Sequence, residues 1–181
     1  NGQSRIFEEQ LRRINIPYKI YGGFSFYARK EIKDLMAYMR LTINDKDDEA
    51  LKRIINYPRR AIGDTTIQQI SQLADEHNMS MWEVLNKINF NSRAKKSLVE
   101  FVELIKVFKA KAAKVNAYDI ALYIYRNSGI EKLLKEDQTI EGKERIENII
   151  SLLDGIQEFV QDDELAEGEN INTDRSLAAY I

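Results

Sequence analysis

Apolar residues recur along most of this chain at intervals of three and four, the period of an amphipathic α-helix. Residues 4–14, SRIFEEQLRRI, put Ile6, Phe7, Leu11 and Ile14 on one face with charges opposite, and Pro17 ends that helix. YKIYGG follows as the one convincing strand, and a lone β-ribbon needs partner strands that this sequence does not supply. From Arg29 the period is helical again. Ile32, Leu35, Met36 and Met39 line one side of RKEIKDLMAYMRL, and NDKDD closes it with turn-forming acids. DEALKRIINY predicts a helix running up to Pro58. TTIQQISQLADEH opens with Thr65 as an N-cap and Gln68 three residues on, the spacing of a capping box. SMWEVLNKI repeats the device with Ser80 and Glu83, and directs Trp82 and Leu85 at a core.

The longest predicted helix is RAKKSLVEFVELIKVFKAKAAK, with Leu98, Phe101, Val102, Ile105 and Phe108 as its buried stripe. AYDIALYIYRNSG and IEKLLKED are shorter helices broken at Gly129. EGKERIENIISLLDGIQEFV carries Ile146, Ile149, Ile150, Leu153, Ile156 and Phe159 at helical spacing. The following QDDELAEGEN has five carboxylates and no cation and reads as an exposed linker. No repeat of fixed period interrupts what is otherwise an all-α pattern.

Composition narrows what such a body can do. The 181 residues suffice for one compact domain, or for a domain plus a piece of a neighbour. A formal net charge of −2 means that any contact with phosphate must come from a local basic patch rather than from the average field. With no cysteine and one histidine, thiol catalysis, structural zinc and a disulfide scaffold are excluded. No apolar run reaches the roughly 18 residues of a membrane span. The chain opens Asn-Gly-Gln-Ser inside a predicted helix, which leads us to expect a piece of a longer polypeptide.

Short matches to catalytic motifs lack the context that the chemistry needs. EGKE at 141–144 has the Gly-Lys of a phosphate loop without the earlier glycine or the Ser/Thr that would hold magnesium. DEHN at 75–78 looks like a magnesium-and-base box, but the IQQISQLA before it is amphipathic helix rather than buried strand, which leaves His77 as a helix-end residue. Asp47 and Asp48, like Asp162 and Asp163, are neighbours in turns rather than carboxylates facing across a cleft. Lys106, Lys109, Lys111 and Lys114 spread around their helix as a solvated face.

The turn NYPRRAIGDTT, residues 56–66, is different. Pro58 stops one helix, Gly63 permits close backbone approach or a positive φ, and Thr65 starts the next helix. A helix start with outward amides, preceded by Arg59 and Arg60, suits an anion, and phosphate in particular. Such contacts do not read bases, so binding would be sequence-independent and weakened by salt. The plainer alternative is a capped helix–turn–helix with two surface arginines.

Three blocks resemble the superfamily 1 DNA helicases of the UvrD/PcrA/Rep type. IPYKIYGGFSFYARKEIKDLMAYMRL is similar to the passage from the second RecA-like motor domain into the inserted 2B subdomain. Gly22, Gly23, Phe26, Tyr27, Arg29, Glu31, Ile32, Lys33 and Asp34 match, and Ala28 stands where an acid is common. RIINYPRRAIGDTTI resembles the GIG turn, a helix-hairpin-helix-like element that grips duplex DNA. Asn56, Pro58, Arg60, Ile62 and Gly63 match, and Ala61 replaces the first glycine, a residue that does not take positive φ freely. RIEN, from Arg145 to Asn148, is similar to a late 2B helix, with Ile150 and Ser151 in place of the acids that often follow. The first two blocks lie within residues 14–67, and beyond them the match is one of helix order and spacing.

The resemblance implies an all-α 2B subdomain over residues 24–181, preceded in residues 1–23 by a helix–strand remnant of the RecA-like domain 2A. The strand would pair in the motor's sheet, and Gly22 and Gly23 would form the hinge on which 2B swings. It implies DNA contacts at Arg59, Arg60, Ile62, Gly63, Asp64, Thr65 and Thr66, with Arg29 and Lys30 as further contacts near DNA or hinge. The two last-named residues could equally pair on the helix surface with Glu31 or Asp34. It implies a bacterial cytoplasmic parent that moves 3′ to 5′ on single-stranded DNA using ATP and magnesium. The nucleotide motifs fall outside this sequence, so the partners of this stretch would be duplex DNA at a junction and the rest of its own polypeptide. A helical interaction or autoregulatory module, docking a partner through its acidic balance, is the alternative from another class.

Overall fold

Helices dominate the computed structural model, which describes residues 24–87, 94–161 and 174–181. Among these residues there is no strand, and the all-α reading holds. The expected strand, the hinge glycines and the acidic linker from Asp162 lie outside the described residues.

A short α1 (Phe24–Tyr27) leads into α2 (Lys30–Ile43), the helix around which the others gather. Ile32, Leu35, Tyr38, Met39 and Leu41 are fully buried. Their spacing gives α2 apolar contact on more than one side, so it packs against α3 (Asp48–Ile54), α6 (Lys95–Ala112), α7 (Ala117–Asn127) and α9 (Ile140–Gln161). α4 (Asp64–His77) and α5 (Met81–Lys87) pack on each other, and α5 ties the pair to α3 and α6. α8 (Ile130–Glu136) lies against α7 and α9, and α10 (Leu177–Tyr180) closes on α7 and α2.

The long apolar stripe of α6 is as its period predicts: Leu98, Phe101, Val102, Ile105 and Phe108 are all buried. In α9 the expected stripe holds except at Ile150, with Ile146 and Phe159 packed against the core and Leu152 joining the buried face. Ile149, Leu152, Leu153 and Ile156 are buried, whereas Ile150 is 49% exposed. Ile150 lies about 100° around the helix from Ile149 and about 200° from Leu152, on the side turned away from the buried residues.

Capping decides the boundaries. Asp47 starts α3 by accepting from the Ala50 amide at 2.9 Å. The box expected at Ser80 and Glu83 is formed reciprocally, at 3.0 Å from the Ser80 amide to Glu83 and 3.2 Å from the Glu83 amide to Ser80 Oγ. The box expected at Thr65 is not formed. α4 begins at Asp64 with Gly63 as N-cap, because the Gly63 carbonyl already accepts from the Thr66 and Ile67 amides at 3.0 and 3.2 Å. α3 stops at Ile54, four residues before Pro58, because Asn56 turns the chain with its side chain.

Candidate nucleic-acid interface

The turn between α3 and α4 is built from the inside outward. Asn56 Oδ1 accepts from the Arg60 amide at 2.8 Å and the Ile62 amide at 3.3 Å, wrapping the backbone around one side-chain oxygen. The Tyr57–Pro58 peptide is cis. Ile62 is fully buried and anchors the turn in the core.

Ala61 is the residue that takes the left-handed conformation, with φ 58°. Gly63, for which the sequence allowed either a positive φ or a close backbone approach, has φ −80° and ordinary extended geometry. The glycine serves another end: a Cβ added there would meet nothing within 4 Å, so the backbone at the start of α4 is open on that side. Among the described residues, no acceptor takes the amides of Gly63, Asp64 or Thr65. Unfilled donors at the start of a 14-residue helix create positive potential there.

The two arginines face opposite ways. Arg59 is exposed and has no hydrogen-bond or ion-pair partner among the described residues. Arg60 is half-buried with its guanidinium turned inward. Nη1 donates to the carbonyls of Ile54, Tyr57 and Pro58 at 3.2, 2.9 and 3.1 Å. Nη2 donates to the Tyr38 hydroxyl at 2.7 Å and the Ser128 carbonyl at 3.0 Å. The guanidinium carbon sits 5.6 Å from the centre of the Phe101 ring. Tyr38 in turn donates to the Tyr57 carbonyl. Burial raises its hydroxyl pKa to about 12, although the Arg60 charge opposes that rise.

Asp64 and Thr65 are exposed and Thr66 half-buried, so Arg59, Gly63, Asp64 and Thr65 share the open side while the side chains of Arg60 and Ile62 do not. Asp64 places a carboxylate, unpaired among the described residues, beside the free amides.

Lys30 adjoins this turn. Its Nζ lies 3.8 Å from the centre of the Tyr57 ring and pairs with the buried Asp34 at 2.7 Å. Arg53 Nε closes the same cluster on Asp34 at 2.7 Å. Burial raises the Tyr57 hydroxyl pKa, and Lys30 opposes it. Arg29 instead turns to α9, donating to Asn148 Oδ1. Asn148 Nδ2 donates to Glu31 at 2.7 Å. The first and third sequence blocks therefore meet in space, a contact that no local pattern of apolar spacing announces.

The rejected EGKE segment has a structural explanation. Gly142 is buried, and a Cβ there would clash with the Asp137 carbonyl oxygen. Among the described residues, no group of three or more His, Cys, Asp or Glu could hold a metal ion. None of the helices there is long and apolar enough to cross a membrane.

Comparison with known proteins adds a lineage to this geometry. Residues 1–180 match the family model described as UvrD-like helicase C-terminal domain. Over its whole length the chain is 36% identical to the ATP-dependent DNA helicase PcrA of Staphylococcus aureus (strain NCTC 8325 / PS 47). The PcrA of Staphylococcus epidermidis (strain ATCC 12228 / FDA PCI 1200) is equally similar, at 36%. The chain spans 26% of each relative's length.

Proposed function

The chain belongs to the UvrD-like helicases, as a match to their C-terminal domain, and from that premise we propose that it is the duplex-holding 2B part of an ATP-dependent 3′-to-5′ DNA helicase. Residues 24–181 form the helical subdomain in this reading. Residues 1–23 belong to the motor domain, and Gly22 and Gly23 provide the hinge about which 2B swings to favour or restrain unwinding. The observation that carries the proposal is the turn at 56–66. It presents, on one open side, a guanidinium at Arg59 and amides at Gly63, Asp64 and Thr65 that have no partner among the described residues.

Phosphate oxygens match those donors in charge and reach, while no side chain there is placed to read a base edge. DNA contact then falls to Arg59, to the backbone of Gly63–Thr65 and to the hydroxyls of Thr65 and Thr66. Ile62 contributes from beneath by anchoring the loop. Lys30 can add charge beside Tyr57, whereas Arg29 is engaged with Asn148. ATP and magnesium chemistry is assigned to the rest of the polypeptide, because the sequence has no phosphate loop with its Ser/Thr and no magnesium box. This chain alone would not hydrolyse ATP.

The test is binding of the 181-residue chain to a labelled duplex with a single-stranded tail, across a range of salt. Weak binding is expected, independent of sequence, falling as salt rises and reduced in Arg59→Ala. Binding insensitive to both salt and Arg59 would favour the protein-docking alternative. DNA-stimulated ATP turnover by the pure chain would refute the assignment of nucleotide chemistry elsewhere.

A further inference from the structure

We infer that Arg60 is a positioning residue, which shapes the DNA-contacting turn without meeting phosphate itself. This rests on the duplex-contact reading above and divides the labour between two adjacent arginines that the sequence presents as a pair.

The geometry leaves Arg60 little freedom. Its two terminal nitrogens reach five oxygens at 2.7 to 3.2 Å, drawn from α2, the turn, the end of α3 and the α7–α8 connection. Four of those oxygens are backbone carbonyls: those of Pro58 and Ser128 have no other donor among the described residues, whereas Ile54 also accepts from the Tyr57 amide and Tyr57 from the Tyr38 hydroxyl. A planar fork can serve several acceptors in fixed directions, and an ammonium on a flexible stem cannot. To reach a phosphate, Arg60 would have to abandon these carbonyls and the Tyr38 hydroxyl while they stay half-buried, at a loss that one surface phosphate contact does not repay.

Arg60 also sets the conformation next to it. Its amide and that of Ile62 are held on Asn56 Oδ1, and between them Ala61 is kept at φ 58°. A non-glycine residue stays left-handed only where its surroundings enforce it. The guanidinium below and Asn56 alongside are that enforcement, and they aim the Gly63–Thr65 amides outward.

The experiment compares duplex binding of the wild-type chain with Arg60→Lys, Arg60→Ala and Arg59→Ala at several salt concentrations, together with amide hydrogen exchange at Arg60 and Ile62. Arg60→Lys should lose about as much affinity as Arg60→Ala, roughly tenfold, with the slope of log affinity against log salt unchanged, because no phosphate contact is removed. Arg59→Ala should make that slope shallower by about one. Exchange at the Arg60 and Ile62 amides should accelerate in Arg60→Lys and not in Arg59→Ala.

Wild-type affinity in Arg60→Lys, with a shallower slope in Arg60→Ala, would overturn the inference, as would unchanged exchange in a folded Arg60→Lys. If the wild-type chain fails to bind duplex, the proposed function fails, while the exchange arm still decides the role of Arg60. Should Arg60→Lys not fold, Tyr38→Phe removes one Nη2 partner at constant charge. It should then accelerate the same two amides, and unchanged exchange there counts equally against the inference.

Discussion

Arg60 Nη2 lies 3.0 Å from the carbonyl oxygen of Ser128, a residue 68 positions further along the chain. The bond ties the α3–α4 turn to the α7–α8 turn, and Gly129 completes the junction. Gly129 sits at φ 93°, and a Cβ there would lie 3.4 Å from Pro58 Cγ. One turn therefore rests on the other, and the shape of the proposed DNA contact depends on residues far from it in sequence.

Gly129→Ala should destabilise the protein by about 1 to 2 kcal/mol, since an L side chain is disfavoured at that φ and the added methyl presses on Pro58. Urea unfolding checks the magnitude. Faster exchange at the Arg60 amide would show that the strain travels into the neighbouring turn.

Ala61→Gly tests the strained residue itself. Relief of the left-handed penalty, about 1 to 2 kcal/mol, is partly offset by the extra unfolded-state freedom of glycine. The expected net gain is roughly 0.5 to 1 kcal/mol, read as a rise in the midpoint of thermal unfolding. Ala61→Val should shift it the other way, because a β-branched residue is a genuine outlier at positive φ.

Much of the scaffold was legible because apolar periodicity reports burial directly, as in Leu98–Phe108 of α6 and in the Ser80–Glu83 box. What escaped was polar and non-local. Glu31 and Asp34 are 6% and 2% exposed, although their letters read as solvent-facing. Their burial depends on partners in other elements, Asn148 for Glu31 and Arg53 for Asp34. Only Arg60 matches the turn motif, yet the sequence offers both arginines as phosphate contacts, and it is the carbonyls converging from three elements that separate their roles. The helix start at Thr65 was misplaced because a glycine N-cap has no side-chain signature.

Asn148→Ala should destabilise by about 1 to 3 kcal/mol, because Glu31 would keep its buried carboxylate and lose the donor at 2.7 Å. Arg29 loses its acceptor in the same variant. Pairing Asn148→Ala with Glu31→Ala should give a combined cost smaller than the sum of the two, which a double-mutant cycle in urea measures.

Gly142→Ala should cost at least about 2 kcal/mol, since the clash is with the Asp137 carbonyl, a backbone atom that cannot rotate away. That site is held in place: Thr139 Oγ1 accepts from the Gly142 amide at 3.0 Å and donates to Asp137 at 2.6 Å. A variant as stable as the parent would show that the α8–α9 turn yields more readily than these bonds imply.

The buried Tyr38 hydroxyl gives stability a dependence on alkaline pH. Its pKa stands at 10.0 in the unfolded chain and at about 12 in the folded one, chiefly because burial disfavours the phenolate. Between those values the unfolded chain has released a proton that the folded chain retains, so unfolding releases a proton and stability falls as pH rises. The contribution is intact below the unfolded pKa and lost progressively as pH climbs through the folded one, about 3 kcal/mol across the whole interval. Burial also raises the hydroxyl pKa of Tyr57, Tyr125 and Tyr180, so the same decline continues in a variant lacking Tyr38. Tyr38→Phe should therefore give a shallower fall in the urea midpoint above pH about 10, not a flat one. At neutral pH the same variant should be less stable by about 1 kcal/mol, because Arg60 Nη2 and the Tyr57 carbonyl each lose a partner. Parallel declines in the two proteins above that pH would mean that the Tyr38 hydroxyl ionises as freely in the folded chain as in the unfolded one.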